Sequence, residues 1–407
     1  MIEAAIENNE SFDFPLPRSC PLEPADDYVL LREQRPIAKV DLPTGQTAWL
    51  VTNHADVRKL FTDPRISSDR THPNFPLRTL IEADLRQSFS GASKALIGLD
   101  LPEHKAPRRM LVNEFTVHRL NALKPRIQQV VDELIDAMLA KGPDADLVED
   151  LALPVPSLVI CDLLGVPYSR REFFHERTQI RLLPASTAEE RAVASQELRA
   201  YMDELIAEKE KTPTDDLLGR LIERNRETEV FTRDLLVGMA QLLLVAGHET
   251  TANMIALGTV GLLTRPEAAD QLRADPSLAV KAVEELLRYY PIIDNLSRVA
   301  AADIEIGGVT IKAGDGVILS LASANRDEEF FDGADTFDVN RGSRHHVSFA
   351  YGVHQCLGQN LARTELEIVF TTLMRRIPTL RLAAEIDDMP FKNNGTINGL
   401  YKLPVAW

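Results

Sequence analysis

The hydrophobic positions of the chain predict a protein made mostly of α-helices. Between Leu111 and Arg288 apolar residues recur at spacings of three and four, the period of helices that bury one face. Polar segments such as Lys141-Gly-Pro-Asp and Lys211-Thr-Pro-Thr-Asp interrupt this pattern and predict helix ends. A further helix is predicted from Gln359 to Ile377. Its apolar stripe consists of Ala362, Leu366, Val369, Phe370, Leu373 and Ile377.

Short β-strands are predicted on both sides of this helical stretch. Pro36–Val40 and Ala48–Thr52 flank a turn segment and indicate a hairpin. Asp303–Ile311 and Asp315–Ser320 have the β-branched residues typical of strands. Phe14–Pro24 is rich in proline and is expected to form an extended strap. The predicted fold class is therefore mostly α with small β-sheets (α+β), as one compact domain over all 407 residues.

Composition indicates a globular protein with a large core. Apolar residues make up 44% of the chain and charged residues 26%. No window of about 18 apolar residues occurs, so we expect no membrane span. The N-terminal residues lack the basic and then apolar layout of a signal peptide. The three cysteines are more typical of a reducing compartment than of a disulfide framework, so we expect a cytoplasmic protein. The net charge of −16 disfavours nucleic-acid binding.

A cysteine lies at the start of the last predicted helix, where it is flanked by residues suited to a metal cofactor. Backbone N–H groups at a helix N-terminus favour the thiolate of Cys356, and a thiolate is a good iron ligand. Gly352 allows a turn with positive φ, and Gly358 removes a side chain where the helix would meet a flat cofactor. Phe349 can cover the sulfur, and His354 can donate to a carboxylate on the cofactor. The alternative is a buried structural cysteine.

A second group of polar residues lies in the middle of an apolar helix predicted from about Asp234 to Leu263. Polar side chains in a buried helix are costly unless they are satisfied or used. The hydroxyl of Thr250 can bond the carbonyl of Ala246 one turn earlier, and small Ala246 and Gly247 leave room beside the helix. Glu249 points about 100° away from Thr250 around the axis. The alternative is a back-bonded threonine beside a carboxylate in a salt bridge.

These segments resemble two motifs of the cytochrome P-450 family. Phe349 to Gly358 is similar to the family's haem-binding loop, Phe-Gly-x-Gly-x-His-x-Cys-x-Gly, with Ala350 in place of the first glycine. Ala246 to Thr251 is similar to the oxygen-activating motif, Ala/Gly-Gly-x-Asp/Glu-Thr. The ending, Gly399 to Trp407, resembles soluble bacterial members from actinomycetes. The resemblance runs from about Phe14 to the C-terminus and implies the cytochrome P-450 fold, a single triangular-prism-like haem domain.

The resemblance also assigns expected roles to individual residues. It implies haem b (iron protoporphyrin IX) with Cys356 as the axial iron ligand. Thr250 would hydrogen-bond dioxygen, and Glu249 would belong to the proton relay beside Ala246. The residues expected to contact haem are His104, Arg108, Arg298, His354, Phe349 and Gly358, of which the first four would bind its propionates.

Two departures from the family pattern lie near the first propionate contacts. Leu101 stands where proline is frequent, and Pro107 falls between His104 and Arg108, where it could kink a helix.

Glu285 and Arg288 form a Glu-x-x-Arg pair that resembles the family's structural lock with a later arginine, here Arg341. The spacing alone is weak, because Glu223 and Arg226 share it. Its position ahead of the cysteine loop distinguishes the first pair from the second.

The function implied is that of a haem-thiolate monooxygenase that hydroxylates or epoxidises a bulky, mainly apolar molecule: a secondary metabolite, macrolide or polyketide, terpenoid or steroid-like compound. Its partners would be O2 and a separate ferredoxin with its reductase, docked near Arg109 or Arg344. The expected pocket residues are Leu242, Val245, Ala246, Ile293, Asp294 and Ile397. The segments 68–98 and 172–200 would form a roof and lid. The alternatives are a nitric-oxide reductase, a peroxygenase and a non-catalytic haem sensor.

Overall fold

The computed structural model describes residues 2–79, 82–83, 96–182, 186–392 and 397–407. In these ranges the chain is mostly helical with three small sheets, as the hydrophobic pattern predicts. The chain divides into two compact units, and each is assembled from several separate stretches of sequence. The first unit comprises Met1–Ala83, Leu257–Cys356 and Pro390–Tyr401. The second comprises Asp84–Ala256, Leu357–Met389 and Lys402–Trp407.

The described residues include the following α-helices, in chain order. They are α1 (Ile2–Glu7), α2 (Asp27–Gln34), α3 (His54–Thr62), α4 (Lys105–Val112), α5 (Val117–Lys141), α6 (Pro154–Leu164), α7 (Arg171–Leu182), α8 (Ala188–Lys211), α9 (Leu217–Thr228), α10 (Arg233–Leu263), α11 (Pro266–Ala274), α12 (Ala279–Tyr289), α13 (Leu321–Ala324) and α14 (Gln359–Arg376). The polar breaks at residues 141 and 211 coincide with the ends of α5 and α8, as predicted.

The β-strands are short. They are β1 (Phe12–Asp13), β2 (Ile37–Asp41), β3 (Thr47–Val51), β4 (Ile66–Ser67), β5 (Asp144–Asp146), β6 (Asn295–Ala300), β7 (Ile304–Ile306), β8 (Val309–Ile311), β9 (Gly316–Ser320), β10 (Arg381–Leu382) and β11 (Pro404–Ala406). The predicted hairpin is present as β2 and β3, which pair antiparallel. The stretch Phe14–Pro24 contains no helix or strand, in agreement with an extended strap.

A six-stranded sheet organises the first unit. Its strand order is β1-β2-β3-β9-β6-β4, and a separate two-stranded sheet is formed by β7 and β8. In the middle of the large sheet, β9 pairs parallel with β3 and antiparallel with β6. All five residues of β9 are buried, because apolar clusters pack on both faces of the sheet. This sheet holds the first residues of β6 at a fixed register, with Asn295 opposite Ser320.

The second unit is mainly helical, and its three-stranded sheet has the order β10-β11-β5. Helix α14 packs against α5, and the side-chain amide of Gln128 donates to the hydroxyl of Thr372 at 3.0 Å across that interface. The C-terminal strand is fastened at its start, where the backbone N–H of Leu403 donates to Asp146 Oδ1 at 2.9 Å. Apart from residues 186–187, the described part of the predicted lid, residues 172–200, lies in α7 and α8.

Helix α10 is the longest helix of the described chain and contributes residues to both units. Thr232 precedes it and accepts a hydrogen bond at its hydroxyl from the N–H of Leu235 at 3.2 Å, so it caps the first turn. Every residue from Thr251 to Leu262 is buried. Among the described residues α10 alone reaches the length and composition of a membrane span, with a mean hydropathy of 1.2 over 18 residues. Because 56% of that window is buried inside the protein, this is weak evidence for a membrane span.

Candidate active site

The cysteine loop is closed by backbone hydrogen bonds within the first unit. The N–H of Cys356 donates to the carbonyl of Phe349 at 2.9 Å, and the N–H of Gln355 donates to the carbonyl of Gly352 at 3.1 Å. Gly352 has φ +73°, and a Cβ there would lie 2.5 Å from the carbonyl oxygen of Phe61 in α3. Glycine is therefore required at this position both for its backbone conformation and for the close approach of α3.

Ala350 departs from the family pattern in residue type but not in conformation. Its φ of +56° lies in the left-handed region that favours glycine. The N–H of Ala350 donates to the carbonyl of Val347 at 2.8 Å, which fixes the turn. The backbone at residue 350 therefore has the conformation that a glycine would adopt there. Alanine adopts this conformation at a higher energetic cost than glycine.

Cys356 is the most accessible of the three cysteines. Its side chain is exposed, whereas Cys20 is half-buried and Cys161 is buried. Burial raises the pKa of the Cys161 thiol to about 12, so that residue has the properties of a structural cysteine. Helix α14 begins three residues after Cys356, with Gly358 at its N-cap position. A Cβ at Gly358 would meet no atom within 4 Å, so there is open space beside the start of the helix.

The segment that leads into the loop is held by Asn325. The N–H of Val347 donates to Asn325 Oδ1 at 2.8 Å, and Asn325 Nδ2 donates to Ser348 Oγ at 2.7 Å. The Ser348 hydroxyl in turn donates to the carbonyl of Leu287 in α12 at 2.7 Å. This network fixes the backbone next to Phe349. Asn325 was not identified from the sequence, because no local pattern distinguishes this buried residue from the other asparagines of the chain.

Arg344, one of the two predicted docking charges, already has a partner. Its Nε lies 3.1 Å from Glu284 Oε1, and His346 Nε2 lies 3.0 Å from Glu284 Oε2. Glu284 and His346 are buried, while the Arg344 side chain is 62% exposed. Arg109, the other predicted docking charge, is exposed on α4. A docking role for either arginine stays a prediction.

Glu285, Arg288 and Arg341 lie together as the predicted lock requires. Arg288 donates through Nε and Nη2 to both carboxylate oxygens of Glu285, at 2.8 and 2.7 Å, and neither side chain is exposed. Arg341 Nε lies 3.2 Å from Glu285 Oε1. Arg288 Nη1 also donates to the carbonyls of Asn325 and Ala334, at 2.8 and 2.7 Å. The buried charges are therefore paired and their donors are bonded.

Arg298 lies inside a strand that the sequence did not predict. The sequence predicted a strand only from Asp303 onward in this region, but β6 extends from Asn295 to Ala300. Its side chain is buried, its Nη1 donates to the carbonyl of Ser297 at 2.7 Å, and its guanidinium lies 5.7 Å from the ring centroid of Phe61. His354, predicted to contact the same cofactor, is half-buried in a short 3₁₀ turn, Gly352–His354. Both residues belong to the first unit.

His104 and Arg108, in the second unit, lie one turn apart at the start of α4. The N–H of Arg108 donates to the carbonyl of His104 at 3.1 Å, and His104 is buried. Burial and, secondarily, the positive charge of Arg108 lower the pKa of His104. The kink considered for Pro107 does not occur, because the helix begins at Lys105. Proline then occupies the first turn, where the backbone N–H has no intrahelical partner to lose.

The polar residues in the middle of α10, Glu249 and Thr250, lie as predicted, and the predicted hydrogen bond is present. Thr250 Oγ1 donates to the carbonyl of Ala246 at 2.6 Å. Glu249 is buried, and Asn253 Nδ2 donates to its Oε1 at 3.3 Å and to its backbone carbonyl at 2.8 Å. His248 is buried next to it, with Nε2 4.0 Å from Glu249 Oε2. Asn253 was missed in the sequence, although a polar residue one turn after a buried glutamate is a usable signal.

One face of α10 is accessible near the middle of the helix. Ala246 is exposed, and Leu242, Val245 and Thr250 are half-buried. These are the residues predicted to face a ligand. The expectation for Gly247 was wrong: a Cβ there would lie 3.0 Å from Ile160 Cδ1, so Gly247 allows close packing on α6 and does not make room for a ligand.

The remaining predicted pocket residues lie in two turns of the first unit. Ile293 and Ile397 are half-buried. Asp294 is engaged at both carboxylate oxygens, by the guanidinium of Arg18 and by Asn398 Nδ2. Its role as a contact for substrate stays a prediction. The predicted roof, residues 68–98, lies partly outside the described residues, which omit 80–81 and 84–95.

The residues present fit a haem. An accessible thiol at a helix N-terminus supplies the anionic donor that iron takes, and the position next to the helix start lacks a side chain where a flat group would lie. In the first unit, Arg298 supplies buried hydrogen-bond donors suited to carboxylates. Within the described ranges no cluster of three or more His, Cys, Asp or Glu side chains could hold a metal ion alone. A single thiolate suffices for an iron that a porphyrin already holds.

Comparison with known proteins agrees with the haem site described above. The family model described as Cytochrome P450 matches residues 171–394. Pentalenic acid synthase of Streptomyces avermitilis is 50% identical over 407 residues, which is 100% of both chains. The crystal structure of cytochrome P450 MoxA from Nonomuraea recticatena has a TM-score of 0.90 and 51% identity, over 97% of this chain and 98% of that one.

A third relative is the mycinamicin VIII C21 methyl hydroxylase MycCI of Micromonospora griseorubida, bound to mycinamicin VIII. Its structure has a TM-score of 0.91 and 41% identity, over 97% of this chain and 100% of that one. The chain belongs to the cytochrome P450 family. It is a cytochrome P450 monooxygenase with haem (iron protoporphyrin IX) as its cofactor, and it therefore uses O2, a small-molecule substrate and redox partners.

Proposed function

We propose that this enzyme hydroxylates or epoxidises a bulky, mainly apolar secondary metabolite of the macrolide or polyketide, terpenoid or steroid-like classes. The observation that carries the proposal is the accessible face of α10, where apolar Leu242, Val245 and Ala246 lie next to the hydroxyl of Thr250. An apolar wall beside a polar group is the usual composition of a small-molecule site. The names of two relatives support this class of substrate. One is called pentalenic acid synthase, and the other is a hydroxylase of mycinamicin VIII.

In this proposal the whole chain is one haem domain in the cytoplasm, and Cys356 would hold the haem iron through its sulfur. When bound, the haem supplies the activation of dioxygen and the transfer of one oxygen atom to the substrate. The thiolate of Cys356 would donate electron density to the iron, and the phenyl ring of Phe349 would shield the sulfur from water. Gly358 leaves room for the porphyrin. Arg298, His104, Arg108 and His354 bind the propionates by charge-assisted hydrogen bonds.

Two residues of α10 handle protons in the proposal. The Thr250 hydroxyl, whose proton is donated to the Ala246 carbonyl, presents its oxygen lone pairs to a proton donor such as water at the accessible face of the helix. Glu249 is buried and held by Asn253, so it can accept and return protons without turning toward bulk solvent. In this arrangement Thr250 orients the group that delivers a proton to the reaction, and Glu249 supplies the proton that replaces it.

Electrons come from a ferredoxin and its reductase in this proposal. The exposed positive charge of Arg109 and the partly paired charge of Arg344 are the candidate contacts for an acidic partner. Neutralising either residue should weaken the association more at low ionic strength than at high, because exposed charges are screened by salt.

The proposal is tested by screening the purified holoprotein against macrolides, terpenoids, steroids and polar compounds of matched size. We expect apolar members to displace water from the iron and to produce a low-to-high-spin shift. A hit is then incubated with ferredoxin, reductase, NADPH and ¹⁸O2, and one labelled oxygen atom should appear in the product. A shift confined to polar compounds, or a product without label, would contradict the proposal.

A further inference from the structure

Asp294 joins three segments that are far apart in the sequence. The guanidinium of Arg18, in the N-terminal strap, pairs with Asp294 Oδ2. Asn398 Nδ2, in the C-terminal turn, donates to Asp294 Oδ1 at 2.6 Å. The backbone carbonyl of Asp294 also accepts the N–H groups of Leu321 and Ala322, at 2.7 and 3.0 Å. The residue is thereby fixed at both its side chain and its backbone.

The same contacts hold two turns against each other. The backbone N–H of Asn398 donates to the carbonyl of Ile292 at 2.8 Å, and its Nδ2 also donates to the carbonyl of Pro291 at 2.9 Å. Ile293 immediately precedes Asp294, and Ile397 immediately precedes Asn398. The hydrogen bonds therefore determine how the two isoleucines are placed relative to each other.

The ion pair between Arg18 and Asp294 is partly shielded from solvent. The side chains are 24% and 14% exposed, so salt and water screen them less than a surface pair. Arg18 Nη1 lies 3.4 Å from the carbonyl of Pro21, which ties the guanidinium to its own strap. A water-sized cavity of about 10 Å³ lies beside the pair.

We propose that Arg18, Asp294 and Asn398 form a clamp that positions Ile293 and Ile397 as two walls of the substrate pocket. Through this clamp a residue of the N-terminal strap sets the preference of the pocket for bulky ligands. The inference rests on the proposed function and on the predicted place of both isoleucines in the substrate pocket. The three clamp residues act through the isoleucines and are positioning residues. Since apolar sites are closely packed, a small displacement of one wall changes the fit of a large ligand and leaves a small one unaffected.

The test compares two iron-binding probes in the holoprotein by optical titration of the Soret band. Imidazole needs little more than access to the iron, whereas the phenyl ring of 4-phenylimidazole must fit between the pocket walls. For Arg18→Met we expect the Kd of 4-phenylimidazole to rise about tenfold and that of imidazole to stay within about twofold. Arg18→Lys keeps the charge and should restore part of the affinity. An unchanged ratio of the two Kd values in Arg18→Met would overturn the clamp.

Glu23→Gln is the matched control on the same strap. Glu23 Oε2 pairs with Arg326 Nη2 at 2.7 Å, and Arg326 keeps a second partner, Asp335, at 3.1 Å. This variant removes an ion pair of the strap without touching Asp294, and the ratio of the two Kd values should not change. An equal change in Glu23→Gln and Arg18→Met would assign the effect to the strap as a whole and overturn the clamp.

Two further variants separate failure of the clamp from failure of the proposed function. Ile293→Ala and Ile397→Ala should change the affinity for 4-phenylimidazole directly if these residues line the pocket. If they do and Arg18→Met does not, the clamp is overturned and the pocket stands. If neither alanine variant changes the affinity, the pocket assignment itself is wrong and the clamp is overturned with it.

Discussion

The hydroxyl of Thr250 donates to the carbonyl oxygen of Ala246, 2.6 Å away and one helical turn earlier in α10. The bond orients the hydroxyl on a face of the helix that is accessible, while Glu249 on the adjacent side is buried and bonded to Asn253. The alcohol and the acid therefore have separate environments. This separation is what a proton relay with one accessible and one protected group requires.

We predict that Thr250→Ala retains haem and substrate binding but delivers protons less effectively. Loss of one hydrogen bond of about 1 kcal/mol should lower the product formed per NADPH by about fivefold, with the missing electrons recovered as hydrogen peroxide. Thr250→Ser keeps the hydroxyl and is the matched control. If the alanine variant forms product as efficiently as the wild type, Thr250 has no part in the reaction.

The two Glu-x-x-Arg pairs of the chain should differ sharply in their contribution to stability. Glu285→Gln leaves the buried guanidinium of Arg288 without its counter-charge, and we expect it to lower the free energy of unfolding by about 3–5 kcal/mol. Glu223→Gln, at the exposed pair of the same spacing, should change it by no more than about 0.5 kcal/mol. Urea unfolding of the holoproteins measures both. Equal effects would show that the buried pair does not lock the fold.

We expect substitutions at two residues of the cysteine loop to have opposite effects on stability. Gly352→Ala adds a Cβ 2.5 Å from the carbonyl of Phe61 at φ +73°, and should lower stability by more than the roughly 1–2 kcal/mol of a left-handed backbone alone. Ala350→Gly relieves the same backbone cost at φ +56°, offset by the greater freedom of glycine in the unfolded chain.

The net effect of Ala350→Gly should lie between no change and about 1 kcal/mol of stabilisation. Thermal unfolding, together with the rate of haem transfer to an acceptor protein, measures both variants. A Gly352→Ala protein as stable as the wild type would show that the loop does not pack closely on α3.

The elements with a strong local signal were predictable from the sequence. The apolar stripe of α14 predicted a helix that ends at Ile377, and the helix ends at Arg376. The hairpin of β2 and β3 was equally evident, because turn residues act over a few positions. The cysteine loop was recognisable because its residues lie within ten positions of one another.

The features that were missed depend on contacts between distant residues. Strand β6 has a mixed sequence, and it is a strand because β9 and β4 pair with its two edges. Asn325 holds the approach to the cysteine loop from 22 and 23 residues away. Arg18 and Asp294 are separated by 276 residues. No local periodicity encodes such pairs, and only the folded sheet and turns bring them together.

Ligation of the iron by the sulfur of Cys356 is tested most directly by the absorption spectrum of the reduced, carbon monoxide-bound protein. The wild type and Cys20→Ser, which changes a half-buried cysteine elsewhere, should both show the red-shifted Soret band of a thiolate-ligated haem. Cys356→Ser should lose that band. A red-shifted band that persists in Cys356→Ser would contradict the assignment of the ligand and the function built on it.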